Sequence, residues 1–286
     1  SDSQSILVTV NAVNDAPIAE SASEETAEDQ EVVIALSGSD IDGDNLVFSL
    51  DSDATNGSVT ISGSFATYIP DANYNGLDNF TFMVEDEYES DTAIVNLTVN
   101  AVNDAPVLAA IADVSFNEDG SASISLSSSD ADTGDSATFS ISGGTDITAS
   151  LIGSDVSFSA PDNFNGSESF VVTVTDSGNL SDSQSILVTV NAVNDAPVLS
   201  SIGNRNVDED NILNLLLSAS DIEDDQLTYS ITSGISIIPS ITSNDLTFTP
   251  SLNFNGTESF TVTVKDGDGG DALSDSDSFT ITVNAV

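Results

Sequence analysis

The chain has 286 residues and carries 48 acidic side chains against two basic ones, Arg205 and Lys265, for a net charge of −46. That balance excludes nucleic acid as a partner, because phosphate binding needs clustered Lys and Arg, and it excludes anionic membrane surfaces on the same ground. There is no cysteine, hence no disulfide or thiol chemistry, and no stretch approaches the roughly 20 apolar residues of a membrane span, so no membrane insertion is expected.

Length alone predicts about two domains, but an internal period predicts three. The eight residues from Val10 to Pro17 recur at Val99 to Pro106 and at Val190 to Pro197, and Val283-Asn284-Ala285-Val286 begins a fourth copy. The three prolines are spaced by 89 and then 91 residues, which marks a tandem array. Ser1 to Pro17 repeats Ser181 to Pro197 without a mismatch. Residues 1–13 therefore read as the final strand of an upstream module, and complete modules read as 14–103, 104–194 and 195–286. Without a parent sheet, residues 1–10 are expected to be poorly ordered or to borrow a neighbouring edge.

In the first module a strand is expected after Pro17, ahead of an acidic segment with Glu24, Glu25, Glu28 and Asp29. Val32, Ile34 and Leu36 then alternate with polar partners, the pattern of a half-buried strand. Asp40-Ile41-Asp42-Gly43-Asp44 reads as a turn, Leu46, Phe48 and Leu50 as the next strand. Asn56-Gly57 and Ser62-Gly63 are turn signals around two short strands that end at Tyr68 and Pro70. Phe80, Phe82 and Val84 share one face of a strong strand ending at Asp86, and Val95, Leu97 and Val99 share one face of the last. The second module repeats the scheme with Ile124 and Leu126, Phe139 and Ile141, Val156 and Phe158, Phe170 to Val174, and Ile186 to Val190. The third does so with Leu213 to Leu217, Leu227 to Ile231, Leu246 and Phe248, Phe260 to Val264, and Phe279 to Val283. No helix-period segment is present. The expected fold is all-β: three seven-stranded antiparallel sandwiches arranged end to end, each near the size of an immunoglobulin-like domain.

Strand parity sorts the acids to the two ends of each module. Glu28-Asp29, Glu118-Asp119 and Glu209-Asp210 follow the first strand, at the bottom. Asp40 and Asp42, Asp130 and Asp132, and Asp221 and Glu223 follow the second strand, at the top, and Asp86, Asp176 and Asp266 end the sixth strand, also at the top. Stacking modules end to end then gathers bottom acids, linker and top acids into one cluster. At the second joint these are Glu118, Asp119, Asn191, Asn194, Asp195, Asp221, Glu223 and Asp266. At the first they are Glu28, Asp29, Asn100, Asn103, Asp104, Asp130, Asp132 and Asp176, and above the first module Asn11, Asn14, Asp15, Asp40, Asp42 and Asp86. Two cations cannot neutralise such clusters. Calcium accepts about six to eight oxygens from carboxylates, amides and carbonyls, and is the expected counter-charge.

These same residues carry a resemblance. Val174-Thr175-Asp176-Ser177-Gly178, followed by a strand ending in Asn-Asp-Ala-Pro, resembles a cadherin repeat with its Ala-x-Asp-x-Gly motif and Asp-x-Asn-Asp-Asn-Ala-Pro linker. Ser220-Asp221-Ile222-Glu223 before Leu227 to Ile231 resembles that family's Asp-x-Asp motif. Closer still is the bacterial cadherin-like repeat of giant type I secreted, RTX-like surface adhesins, whose Asn-Phe-Asn-Gly segment matches Asn163 to Gly166 and Asn253 to Gly256. Asn73-Tyr74-Asn75-Gly76 is the first module's version. The resemblance implies cadherin-like modules, calcium at the joints, secretion in one step to the cell surface, and folding coupled to calcium outside the cell. One departure matters. Cadherins carry Asp-Arg-Glu in the bottom loop before the sixth strand, whereas here the Glu slot holds Asn73, Asn163 and Asn253, and the Asp slot holds Asp71, Pro161 and Ser251. Fewer anionic ligands imply fewer or weaker ions per joint.

Plainer readings stand beside these. Asn-Asp-Ala-Pro is also a good turn, and the Glu-Asp pairs are also ordinary solvated loop charges. Of each pair, Glu has the longer reach toward an ion. Asp40 to Asp44 and Asp266 to Asp271 superficially look like EF-hand loops, but the sixth position, where that loop needs Gly, holds Asn45 and Asp271. The second of these reads as a lengthened top loop. Asn-Phe-Asn-Gly reads as structural, a turn with positive φ over a packed aromatic. With no His or Cys and with carboxylate pairs recurring in every module, no enzyme is expected.

The sequence thus reads as a structural extender of a secreted bacterial surface adhesin, stiffened by calcium. Strands of about ten residues span roughly 33 Å, so three modules would make a rod on the order of 100 Å. An alternative is a binding module, for cadherin-like contact with a second copy or for carbohydrate. It needs an exposed aromatic platform, and only Tyr88 falls in a loop outside the core pattern. A passive spacer without metal is the third reading.

Overall fold

A computed structural model describes residues 3–11, 13–267 and 271–286. Every regular element among them is a strand, and no helix is long and apolar enough to cross a membrane. The first module holds β1 (Ile18–Glu20), β2 (Ala22–Ala27), β3 (Val32–Ala35), β4 (Ser37–Ser39), β5 (Val47–Ser52), β6 (Gly57–Ser62), β7 (Phe65–Pro70), β8 (Gly76–Glu85) and β9 (Ser90–Asn100). The second holds β10 (Val107–Leu108), β11 (Val114–Asn117), β12 (Ser121–Ser125), β13 (Ser128–Ser129), β14 (Thr138–Gly143), β15 (Thr148–Ile152), β16 (Asp155–Ser159), β17 (Gly166–Thr175) and β18 (Ser181–Asn191). The third holds β19 (Val198–Leu199), β20 (Arg205–Asp208), β21 (Leu213–Leu216), β22 (Ala219–Ser220), β23 (Thr228–Ile231), β24 (Ile237–Thr242), β25 (Asp245–Pro250), β26 (Gly256–Lys265) and β27 (Ser274–Asn284).

The seven expected strands are present, with the first and second each broken into two segments. In the first module β2-β9-β8-β5 form one sheet and β3-β7-β6 the other, while β1 and β4 pair as a short ribbon. The other two modules use the same order. Most ladders are antiparallel, but β2 runs parallel to β9 with Ala22 opposite Val95, and β11–β18 and β20–β27 repeat this. The cause is parity. In a chain of seven alternating strands the first and last run the same way, so once adjacent they pair in parallel.

The core follows from alternation. On β8, Phe80, Phe82 and Val84 are fully buried, and on β9 Val95, Leu97 and Val99 meet them with Ile34 and Tyr68 from the facing sheet. The third module packs Phe248, Phe260 and Phe279 in the same way, with the first two ring centroids 4.8 Å apart. Each such side chain contributes about 1.5–3 kcal/mol by leaving water. Asn56-Gly57, read as a turn, proves to be the entry to β6: Gly57 already pairs with Pro70.

Two compact units are formed, one of residues up to 110 with 126–140 and 172–184, the other of 111–125, 141–171 and 185–286. Each combines an outer module with one end of the middle module, so each joint lies inside a single unit. The described residues 3–11 belong to no strand and are exposed; they do not borrow an edge.

Candidate metal centres

At the first joint the linker is gripped from both sides. From below, the Val102 N–H donates to Glu28 Oε1 at 2.6 Å. From above, the Asp104 N–H donates to Asp132 Oδ2 at 2.7 Å and the Asn103 amide to Asp176 Oδ2 at 2.8 Å. Asp132 is itself set by a turn in which Asp130 Oδ1 accepts the Asp132 N–H at 2.9 Å, the Asx geometry that Asp-x-Asp favours. The second joint repeats the grip. The Val193 N–H donates to Glu118 Oε1, the Asn194 amide to Asp266 Oδ2 at 2.9 Å, and the Asp195 N–H to Glu223 Oε2 at 3.4 Å. Above the first module, Asn14 donates to Asp86 at 3.1 Å and the Asp15 N–H to Asp42 at 2.8 Å, while Asp40 Oδ1 accepts the Asp42 N–H at 2.8 Å.

In Asp40, Glu118, Asp135 and Asp221 one carboxylate oxygen takes a hydrogen bond from the chain, and in these four as in Asp104 and Asp195 one oxygen is buried with no partner. These orphaned atoms are Asp40 Oδ2 above the first module, Asp104 Oδ2 and Asp135 Oδ2 at the first joint, and Glu118 Oε2, Asp195 Oδ2 and Asp221 Oδ2 at the second. Glu118 is only 6% exposed. Such atoms are costly to bury unsatisfied. At the first joint Glu28, Asp104 and Asp132 offer oxygens within 4.8 Å of one another, and so do Asp130, Asp135 and Asp176. Burial raises the Asp104 carboxyl above the ordinary range, helped by the charges of Asp132, Glu28, Asp29 and Asp130. Burial likewise raises Asp44, with Asp40, Asp42, Asp86 and Glu87 adding to it. Asp86 is held low by the N–H groups of Glu89 and Tyr88. A hard divalent cation with oxygen preference suits this donor set.

Not every candidate residue holds the linker. Asp29 and Asp119 each accept an N–H from the Asn-aromatic-Asn-Gly loop, of Asn73 and Asn163 respectively. Asn100 and Asn191 present backbone carbonyls to Glu28 and Glu118 at 2.9 Å, and the Asn191 amide leans on Asn117. Asn11 is exposed. Asp266 is buried and accepts the Leu273 N–H at 2.7 Å; of the loop that follows it, residues 268–270 lie outside the described residues. Tyr88 is 70% exposed, with the other three tyrosines buried or half-buried.

Asp135 was passed over in the sequence. The middle module's top loop is one residue longer than its counterparts, counted from Asp130 to Phe139 against Asp40 to Phe48 and Asp221 to Tyr229. The extra residue lets the chain turn at Gly134, φ 97°, and Asp135 folds inward where Asp44 and Asp225 stay exposed. Its Oδ1 accepts the Ser177 hydroxyl at 2.6 Å.

A comparison with curated protein sequences gave no match. Among solved structures the chain is similar to mouse cadherin-23 EC22-24, with a TM-score of 0.55 and 19% identity over 96% of this chain and 100% of that one. Human CDH23 EC21-23 is similar at a TM-score of 0.58 and 18% identity over 92% and 99%. Cadherin domains 1-5 of protocadherin gamma B2 are similar at 0.57 and 14%, over 93% of this chain and 58% of that one. At such identities the likeness shows the fold: three tandem sandwiches of cadherin and immunoglobulin type. The family model described as Bacterial Ig domain matches residues 14–98, 103–189 and 194–284. With nearly its whole length covered by these three matches, the chain belongs to the bacterial Ig domain family as a tandem array.

Proposed function

We propose that the chain is a calcium-stiffened extender from a secreted bacterial surface adhesin, with modules 14–103, 104–194 and 195–286 and residues 1–13 as the last strand of a preceding module. The observation that supports it most is the set of buried, unpartnered carboxylate oxygens at both joints, in a chain with only two basic side chains. The ligands are Glu28, Asn103, Asp104, Asp130, Asp132, Asp135 and Asp176 at the first joint, and Glu118, Asn194, Asp195, Asp221, Glu223 and Asp266 at the second. The linker hydrogen bonds bring the carboxylates close before any ion arrives. Calcium would supply the charge that lets them stay close, and its binding free energy would stabilise the joined state.

Extracellular modules commonly bind calcium at roughly 10⁻⁴ to 10⁻³ M, which suits a chain that stays loose in a low-calcium cytosol and stiffens outside. Neighbouring modules of the same chain are the partners, with no catalytic role. Calorimetric titration of calcium, paired with small-angle scattering with and without chelator, tests this reading. Heat of binding and a longer maximum dimension in calcium are expected. A silent titration would favour the passive spacer, and binding without any change in dimension would remove the extender.

A further inference from the structure

The turn that carries each joint glutamate is fixed at three points. Glu28, Glu118 and Glu209 each donate the backbone N–H to the last residue of the final strand, Asn100, Asn191 and Asn284, at 2.9 Å. The turn closes two residues later, through Gln30 N–H to Ala27, Gly120 N–H to Asn117 and Asn211 N–H to Asp208. The aspartate that follows the glutamate sits at positive φ, 57° at Asp29, 61° at Asp119 and 65° at Asp210. Its Oδ1 accepts the N–H of Asn73 at 3.1 Å, Asn163 at 3.0 Å and Asn253 at 3.0 Å. Those asparagines are also at positive φ, 56°, 59° and 53°. Asp and Asn are the side-chain-bearing residues that best accept that conformation.

We propose that Asp29, Asp119 and Asp210 are positioning residues and not ion ligands: each clamps its turn to the Asn-aromatic-Asn-Gly loop and thereby aims the preceding glutamate at the joint. The ligand half of the statement rests on the calcium reading above; the clamp does not. The same bond recurs in all three modules with nearly one length, while the top-loop acids vary between Asp42, Asp132 and Glu223. Geometry is kept where a backbone must be held. With the turn so held, Glu28, Glu118 and Glu209 all reach the linker, at the N–H of Val102, Val193 and Val286.

Two substitutions in the whole chain separate the roles. Asp119→Asn keeps the acceptor oxygen and the left-handed conformation but loses the charge, whereas Asp119→Ala loses the acceptor. For a clamp, calcium binding at the second joint stays within about twofold in Asp119→Asn and weakens about tenfold in Asp119→Ala, as for partners that orient a ligand. Equal weakening in both variants would make Asp119 a ligand and overturn the proposal. The metal-free arm is amide hydrogen exchange at Asn163 and Val193 in chelator: protection in the parent and in Asp119→Asn, faster exchange in Asp119→Ala. Identical exchange in all three would overturn the clamp whatever calcium does. A silent titration of the parent chain would remove the calcium reading, leaving the exchange result to decide whether the clamp aims the glutamate.

Discussion

Asp78 is 5% exposed, yet it is an acid in a chain crowded with acids. Its oxygens take the N–H groups of Thr55 at 3.1 Å and Asn56 at 2.9 Å and the Tyr68 hydroxyl at 3.0 Å. Glu168 does the same for Thr145, Asp146 and Ile147, and Glu258 for Ile235 and Ser236. Each ties down the loop that crosses between the two sheets. Burial pushes Asp78 up, but the donors of Asn56, Asn79, Thr55 and Tyr68 outweigh it and hold the carboxyl below its usual range. Glu258 is lowered against burial in the same manner, and Glu168 chiefly by the Thr145 N–H. A lowered folded pKa contributes stability above the unfolded value, near 4, and loses it as pH falls through the folded value. Asp78→Asn should therefore cost about 1–3 kcal/mol at neutral pH and flatten the acid limb of the stability profile. Urea unfolding across pH, with amide exchange of Thr55 and Asn56, checks it; an unchanged acid limb would refute the role. The inward position of these acids was legible all along, since Asp78 shares the parity of Phe80 and Phe82, and Glu168 that of Phe170.

At the scale of elements, alternation told most of the story. Phe80 to Val84, Phe170 to Val174 and Phe260 to Val264 fall on the long β8, β17 and β26 with the expected face buried. The break of the first strand did not show, because β1 and β2 are short and only half-buried and have no period to read. Gly57 misled for a different reason. A Cβ there would lie 2.4 Å from the Tyr68 ring and 2.6 Å from the Ile69 carbonyl. The position is glycine because an aromatic and a neighbouring backbone come close, a cause invisible without the partner strand. Gly57→Ala should lower the stability of the first module by about 1–3 kcal/mol, the usual cost of overpacking, and more if β6 parts from β7. Thermal melting checks this, and a neutral result would mean the ring swings aside.

For the molecule as a whole, strand parity was enough to send the acids to the module ends, because it depends only on counting. Which oxygen faces the cluster and which takes a linker N–H depends on side-chain torsions that no pattern records. Asp135 adds a case where one inserted residue changes the direction of a carboxylate. The parallel ladders were within reach of the same counting, since an odd number of alternating strands leaves the first and last co-directional.

The seventeen residues that occur twice show how little of a β-strand is written in the strand itself. In β18, Ile186, Val188 and Val190 are 2%, 0% and 2% exposed, while the identical Ile6, Val8 and Val10 are 84%, 77% and 89% exposed. What differs is a sheet to receive them. In a recombinant chain that starts at Ser1, residues 3–11 can therefore compete for the place of β18 in the middle module of another copy, because the piece that would enter and the piece that would leave have the same side chains. Domain swapping of this kind is a known hazard of repeat chains. Refolding at high concentration should trap a dimer, visible by size-exclusion chromatography, that is lost on dilute refolding and in Val8→Asp. A purely monomeric product at every concentration would show that the neighbouring modules steer each strand home before a stranger arrives.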